Sequence, residues 1–170
     1  MKYSIGPVES PWGDYGDILC HGMSMHLPRK EGKIQLERCG PEIFPITFPI
    51  DVIVTDAFRK EFESSSLTGA TFTPVIKSRI VDLDWSLWDI LEDEPPIYPD
   101  SGEPSDFLLE REHSEEVSNS LGPLWELTAS TNHENDLHYK NGTKIMLLSE
   151  KARNWFLEKY SDFVELKDEG

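Results

Sequence analysis

Val52-Ile53-Val54 is a β-branched run, and directly after it the apolar positions change from consecutive to four apart. The run suits a strand, where branched side chains pack well on a pleated surface. Thr55 is placed to cap a helix, because its hydroxyl can accept a free N–H of the first turn. Asp56 sits where the helix dipole favours negative charge. Phe58 and Phe62 then share one helical face, with Arg59, Lys60, Glu61 and Glu63 mostly elsewhere. Ser64-Ser65-Ser66 ends that helix and Gly69 turns the chain. Thr71 to Leu83 alternates as one long strand that carries Phe72, Ile76 and Ile80.

The same order returns later. Ile145-Met146-Leu147-Leu148 reads as a strand, Ser149 as the cap and Glu150 as the first-turn acid. Ala152, Trp155, Phe156 and Tyr160 form the apolar stripe, and Phe163 to Leu166 closes as a strand. Thr55–Phe62 aligns with Ser149–Phe156 without a gap. One reading is a duplicated strand–helix–strand unit; the other is the common look of any capped helix that follows a strand.

Elsewhere the pattern is shorter. The first forty residues are rich in Gly and Pro, with Ile18-Leu19-Cys20 and Ile34-Gln35-Leu36 as short strands between loops. Leu124–Thr128 reads as a strand after the Leu121-Gly122-Pro123 turn. Asn141-Gly142, between two strand-like runs, signals a hairpin because both residues tolerate positive φ. Together these elements predict an α+β fold: a single domain over residues 1–170, with a mixed or antiparallel sheet and two or more helices packed on it.

Composition supports a folded domain. Hydrophobic residues make up 38% of the 170 and five are Trp, which is too apolar for a disordered chain. No run approaches the roughly 18–20 apolar residues of a membrane span. Met1–Pro7 lacks the apolar stretch of a secretory signal, so the expected location is cytoplasmic. Cys20 and Cys39 are then expected as reduced thiols, with a bridge between them as the alternative.

Chemistry-bearing motifs are scarce. His133 and His138 are five apart and do not share a helix face, unlike the pair of a zinc protease. Cys20, His21, His26 and Cys39 lack the paired short spacings of a zinc finger. Gly22-Met23-Ser24-Met25-His26 misses the final Gly of a nucleophile elbow, and no Gly-rich phosphate loop is present. No catalytic residue, metal ligand or cofactor is therefore expected. Because catalytic groups converge in space rather than in sequence, a small hydrolase using scattered carboxylates or Cys39 remains the alternative.

Charge changes the picture most. The net charge is −16, which disfavours nucleic acid as a partner. Residues 82–116 hold thirteen acidic residues against Arg111 alone, a net −12. Within them, Leu83, Leu87 and Ile90, with Trp88 and Leu91, are spaced as one helical stripe, and Trp85 lies off it. Glu110 to Val117 is expected to open another helix. Clustered like charge raises self-repulsion, so it points to binding more than to stability. The candidate partner-binding residues are Asp82, Asp84, Trp85, Trp88, Asp89, Glu92, Asp93, Glu94, Glu110, Glu112, Glu115 and Glu116. The plainer alternative puts both tryptophans in the core and leaves the acids as a solvated face.

Glu37-Arg38-Cys39-Gly40-Pro41, Val52 to Phe62, and Leu67-Thr68-Gly69-Ala70-Thr71-Phe72-Thr73-Pro74-Val75 resemble immunity proteins of bacterial polymorphic-toxin systems, specifically the group abundant in myxobacteria. Asp84-Trp85-x-x-Trp88-Asp89 and Leu121 to Glu126 are in character, so the resemblance covers about residues 37–128. Some of those proteins carry paired Cys-x-x-Cys motifs, which this chain lacks, so no zinc site carries over. The resemblance implies a cytoplasmic antitoxin that binds one cognate toxin domain. With the acidic segment, it makes a basic, nucleic-acid-directed toxin the expected partner and the chain itself no enzyme. A self-associating structural module, including a homo-oligomer, is the third reading.

Overall fold

The computed structural model describes residues 2–170 and is an α+β fold of eleven strands and five helices among the described residues. The strands are β1 (Tyr3–Pro7), β2 (Met25–Lys30), β3 (Lys33–Gly40), β4 (Ile46–Thr47), β5 (Val52–Thr55), β6 (Ala70–Pro74), β7 (Ile76–Asp82), β8 (Leu124–Ala129), β9 (Leu137–Tyr139), β10 (Met146–Leu148) and β11 (Val164–Asp168). The helices are α1 (Asp14–His21), α2 (Asp56–Ser64), α3 (Asp106–Leu109), α4 (Glu115–Ser120) and α5 (Glu150–Tyr160). They build three sheets rather than one. Two are antiparallel, in the orders β9-β10-β1-β11 and β4-β5-β8-β6. The third, β2-β3-β7, is mixed, because β7 runs parallel to β3.

The two units seen in the sequence share a topology. β5 and β6, joined by α2, both lie antiparallel to β8 between them. β10 and β11, joined by α5, lie in the same way on either side of β1. Each is a split β–α–β unit with a further antiparallel strand, β4 or β9, on the matching edge. Both helices are capped as expected: Thr55 Oγ1 accepts from Phe58 N (3.3 Å) and Ser149 Oγ from Ala152 N (3.2 Å). Their apolar stripes meet in the largest core cluster, where the Phe58 ring lies 6.0 Å from Phe156 and 4.9 Å from Tyr160.

Several expectations are corrected. Ile18-Leu19-Cys20 is helical, not a strand: Gly22 adopts a left-handed conformation (φ 63°) and its N–H closes on Ile18 O at 2.6 Å, the usual way to end a helix. Thr71–Leu83 is two strands in different sheets. Pro74 has no N–H to continue the ladder, Val75 N turns to Leu124 O (3.0 Å), and from Ile76 the chain pairs with β3 instead. Lys30-Glu31-Gly32-Lys33 is a tight hairpin with positive φ at both central residues. The Asn141-Gly142 hairpin forms, with Gly142 at φ 71° and Lys140 N bonded to Ile145 O (2.8 Å). Cys20 and Cys39 are buried and unbridged.

Candidate functional site

The acid-rich stretch is one long excursion from β7. Val81 pairs with His113 in an isolated antiparallel bridge, Ser114 N donates to Ile80 O (2.7 Å), and Ile80 N donates to His113 Nδ1 (2.8 Å). Asp82 and Glu112 therefore flank the point where the excursion opens and closes. The Leu83–Leu91 stripe does not form a helix. Asp84 Oδ1 accepts from Ser86 N (3.2 Å), Asp89 Oδ1 accepts from Leu91 N (2.9 Å), and Pro95-Pro96 follow. Short acidic side chains that bond their own backbone two residues on favour turns over helix. Of Glu110–Val117, only Glu115 onward is helical, with Ser114 as cap.

Buried anchors pin the loop. Trp85 and Trp88 are only 3% and 6% exposed, and with Phe107 and Leu108 they join Ile18, Leu19 and Val81 in the second core cluster. The two tryptophans are thus core residues, although both also line a cleft toward Phe44 and Phe163. Asp82, Asp84, Asp89, Glu92, Asp93, Glu94, Glu110, Glu112, Glu115 and Glu116 are all exposed. The loop also exposes Leu87, Leu91 and Leu109, at 78%, 81% and 66%. Sequence spacing hid them, because the helical reading put Leu87 and Leu91 on the buried stripe.

Pairing separates this loop from the rest of the surface. Of the nineteen acidic residues outside the loop, nine lie within 4.0 Å of a Lys or Arg nitrogen, among them Glu126 with Arg29, Asp51 with Lys144, Asp56 with Arg59 and Lys60, and Glu169 with Lys140. Among the described residues, none of the thirteen acids of the loop lies within 4.0 Å of a Lys or Arg nitrogen; Glu115 meets only His113 (3.5 Å). Arg111, the loop's own base, instead sits over the Phe107 ring at 5.1 Å.

Beneath the loop lies Arg38, fully buried and without a carboxylate partner. Its guanidinium donates to His21 O, to Ser24 Oγ (3.0 Å) and to Glu42 O (3.2 Å), and lies 5.8 Å from the Trp85 ring centre. Burial pulls its pKa down to about 9. Gly22 makes room: a Cβ there would sit 2.3 Å from Arg38 Cζ. Burial, then Arg38, lowers His21 to about 4, and its Nδ1 accepts from Phe48 N (2.9 Å), which needs the neutral ring.

Two clefts flank these elements. One, about 590 Å³, runs between the loop (Trp85, Trp88, Ile90) and Leu19, Phe44 and Phe163. The other, about 600 Å³, is lined by β1 and the start of α1 and carries Glu9, Asp14, Asp17 and Glu165. Asp17 there is raised by burial and then by Asp14. Cys39 is fully buried, and burial pushes its thiol up to about 12, which disfavours the reactive thiolate. No three His, Cys, Asp or Glu side chains converge to hold a metal among the described residues, and no helix is long and apolar enough to cross a membrane. No family model, curated protein or solved structure matches this chain.

Proposed function

We propose that this chain is a binding protein whose acid-rich loop docks on a cationic protein, acting in the cytoplasm as an immunity protein that occludes the active site of a cognate toxin domain. The observation that carries the reading is that, among the described residues, none of the loop's thirteen carboxylates meets a Lys or Arg, against nine of nineteen elsewhere. An unpaired like-charge surface on a pinned loop draws little stability from its charges, yet it attracts an oppositely charged partner and speeds encounter. A nucleic-acid-directed toxin offers such a partner, since the Lys and Arg that hold phosphate can pair with carboxylates instead. Exposed Leu87, Leu91 and Leu109 supply apolar contact that outlasts the charge-driven encounter. The toxin assignment itself draws on the likeness of residues 37–128 to immunity proteins.

Co-expression with a panel of basic, nucleic-acid-directed toxin domains tests the proposal. The native chain is expected to restore growth, and a variant with Glu92, Asp93 and Glu94 changed to Lys is expected to fail while still folding. The association rate of the pair should fall steeply between low and high ionic strength. A rate indifferent to salt would remove the steering argument.

A second reading, hydrolysis at the β1–α1 cleft, rests on the four carboxylates that line it, Glu9, Asp14, Asp17 and Glu165, with the Asp17 carboxyl raised above its ordinary value by burial and then by Asp14. It needs an activity that Asp17→Asn abolishes without loss of fold.

A further inference from the structure

The cleft between the loop and Phe44–Phe163 is an apolar groove whose one wall is the most acidic part of the chain. Phe44 bridges its two sides, with ring centres 5.6 Å from Trp85 and 5.0 Å from Phe163. Phe44, Ile90 and Phe163 are only half-buried, so aromatic and aliphatic surface stays open along about 590 Å³. Glu42 and Asp89 stand on the rim, exposed and in no ion pair among the described residues. The walls are firm: Trp85 and Trp88 are packed in the core, and Arg38 ties the Glu42 carbonyl to the end of α1 beneath Trp85.

We infer that this groove receives a large apolar side chain from a cationic segment of a partner protein, with Lys or Arg beside it meeting Glu42 and Asp89. The inference rests on the loop reading above and says where on the loop lasting affinity is generated. Charge complementarity selects the occupant. The groove wall belongs to a stretch of net −12, so an acidic or neutral segment gains nothing from the field around it, whereas a cationic one is drawn in. The apolar floor then adds what exposed carboxylates in water cannot, because a filled, desolvated pocket is where binding energy concentrates. A small apolar molecule would fill the same space without using either rim carboxylate.

The test uses the full chain, labelled with ¹⁵N, and three probes. These are the peptide Lys-Arg-Lys-Phe-Lys-Arg-Lys, its analogue with Ala for Phe, and neutral N-acetyl-phenylalanine amide. The Phe peptide is expected to bind at least about tenfold tighter than the Ala peptide, a typical penalty for emptying a central pocket. It should shift the indole N–H resonances of Trp85 and Trp88 while leaving that of Trp125, which is bonded to Asp56 (3.0 Å), in place. Ser86→Tyr, from an exposed position on the groove, is expected to erase the difference between the peptides while keeping the charge-driven binding common to both. Equal, salt-sensitive binding of the two peptides to the native chain overturns the groove and leaves the loop reading standing. Binding of the neutral probe as tight as that of the Phe peptide overturns the choice of occupant. No binding of either peptide at low salt overturns the loop reading, and the groove with it.

Discussion

Arg38 brings a charge into the interior and meets no carboxylate there. Two carbonyls and a hydroxyl hold it, and its depressed pKa records the work of burial. Its neighbour His21 has the clearer consequence. The folded ring titrates at about 4 and the unfolded one near 6.5, so between those values the unfolded chain binds a proton that the folded chain does not. Stability is therefore full above about pH 6.5 and falls as the pH drops toward 4, by at most about 3 kcal/mol from this residue. Denaturant titrations at pH 7 and pH 4.5 measure the loss. His26 and His138 are lowered too and add to the slope, so His21→Asn, which keeps an acceptor for Phe48 N, should flatten it only in part.

At the scale of elements, one ionic cluster ties the three sheets together. Arg29 on β2 makes two 2.7 Å bonds to Glu126 on β8 and reaches Asp51 at 3.1 Å, while Lys144, from the loop between β9 and β10, holds Asp51 at 2.6 Å. Glu126 is buried but Arg29 is 41% exposed at its side chain, so solvent screens the pair. A double-mutant cycle of Arg29→Met and Glu126→Gln is expected to give a coupling on the order of 1 kcal/mol. A coupling of zero would mean that apolar packing alone joins β2 to β8.

Across the whole molecule, charge is distributed unevenly, with a net −12 of the total −16 in residues 82–116. Neutralising Glu92, Asp93 and Glu94 to Gln, Asn and Gln removes self-repulsion and breaks no ion pair. Tm at low ionic strength is expected at or slightly above the native value, while affinity for cationic peptides drops severalfold. A fall in Tm beyond ~3 °C, about 1 kcal/mol at this chain length, would instead make those carboxylates part of what holds the loop. The split β–α–β topology shared by the two halves places α2 and α5 in one core, and the acidic loop is an addition outside that repeat.

Local chemistry was legible where it needs only neighbours in the chain. Thr55 and Ser149 announce their helices because a cap bonds a backbone N–H three residues on, and Gly142 announces its turn through a backbone that only glycine adopts freely. The unequal spread of charge is a property of composition and survives any fold. Contacts distant in sequence decided the rest. Ile18-Leu19-Cys20 became helical through the termination at Gly22, where Arg38 packs from another strand. Trp85 and Trp88 went inward because α1 and Phe107 form a wall for them, leaving Leu87 and Leu91 outside. Whether an acid finds a cation, and whether two aromatic segments leave a groove between them, depends on which surfaces the tertiary structure brings face to face. Spacing along a chain carries no record of that, because the partners lie tens of residues apart.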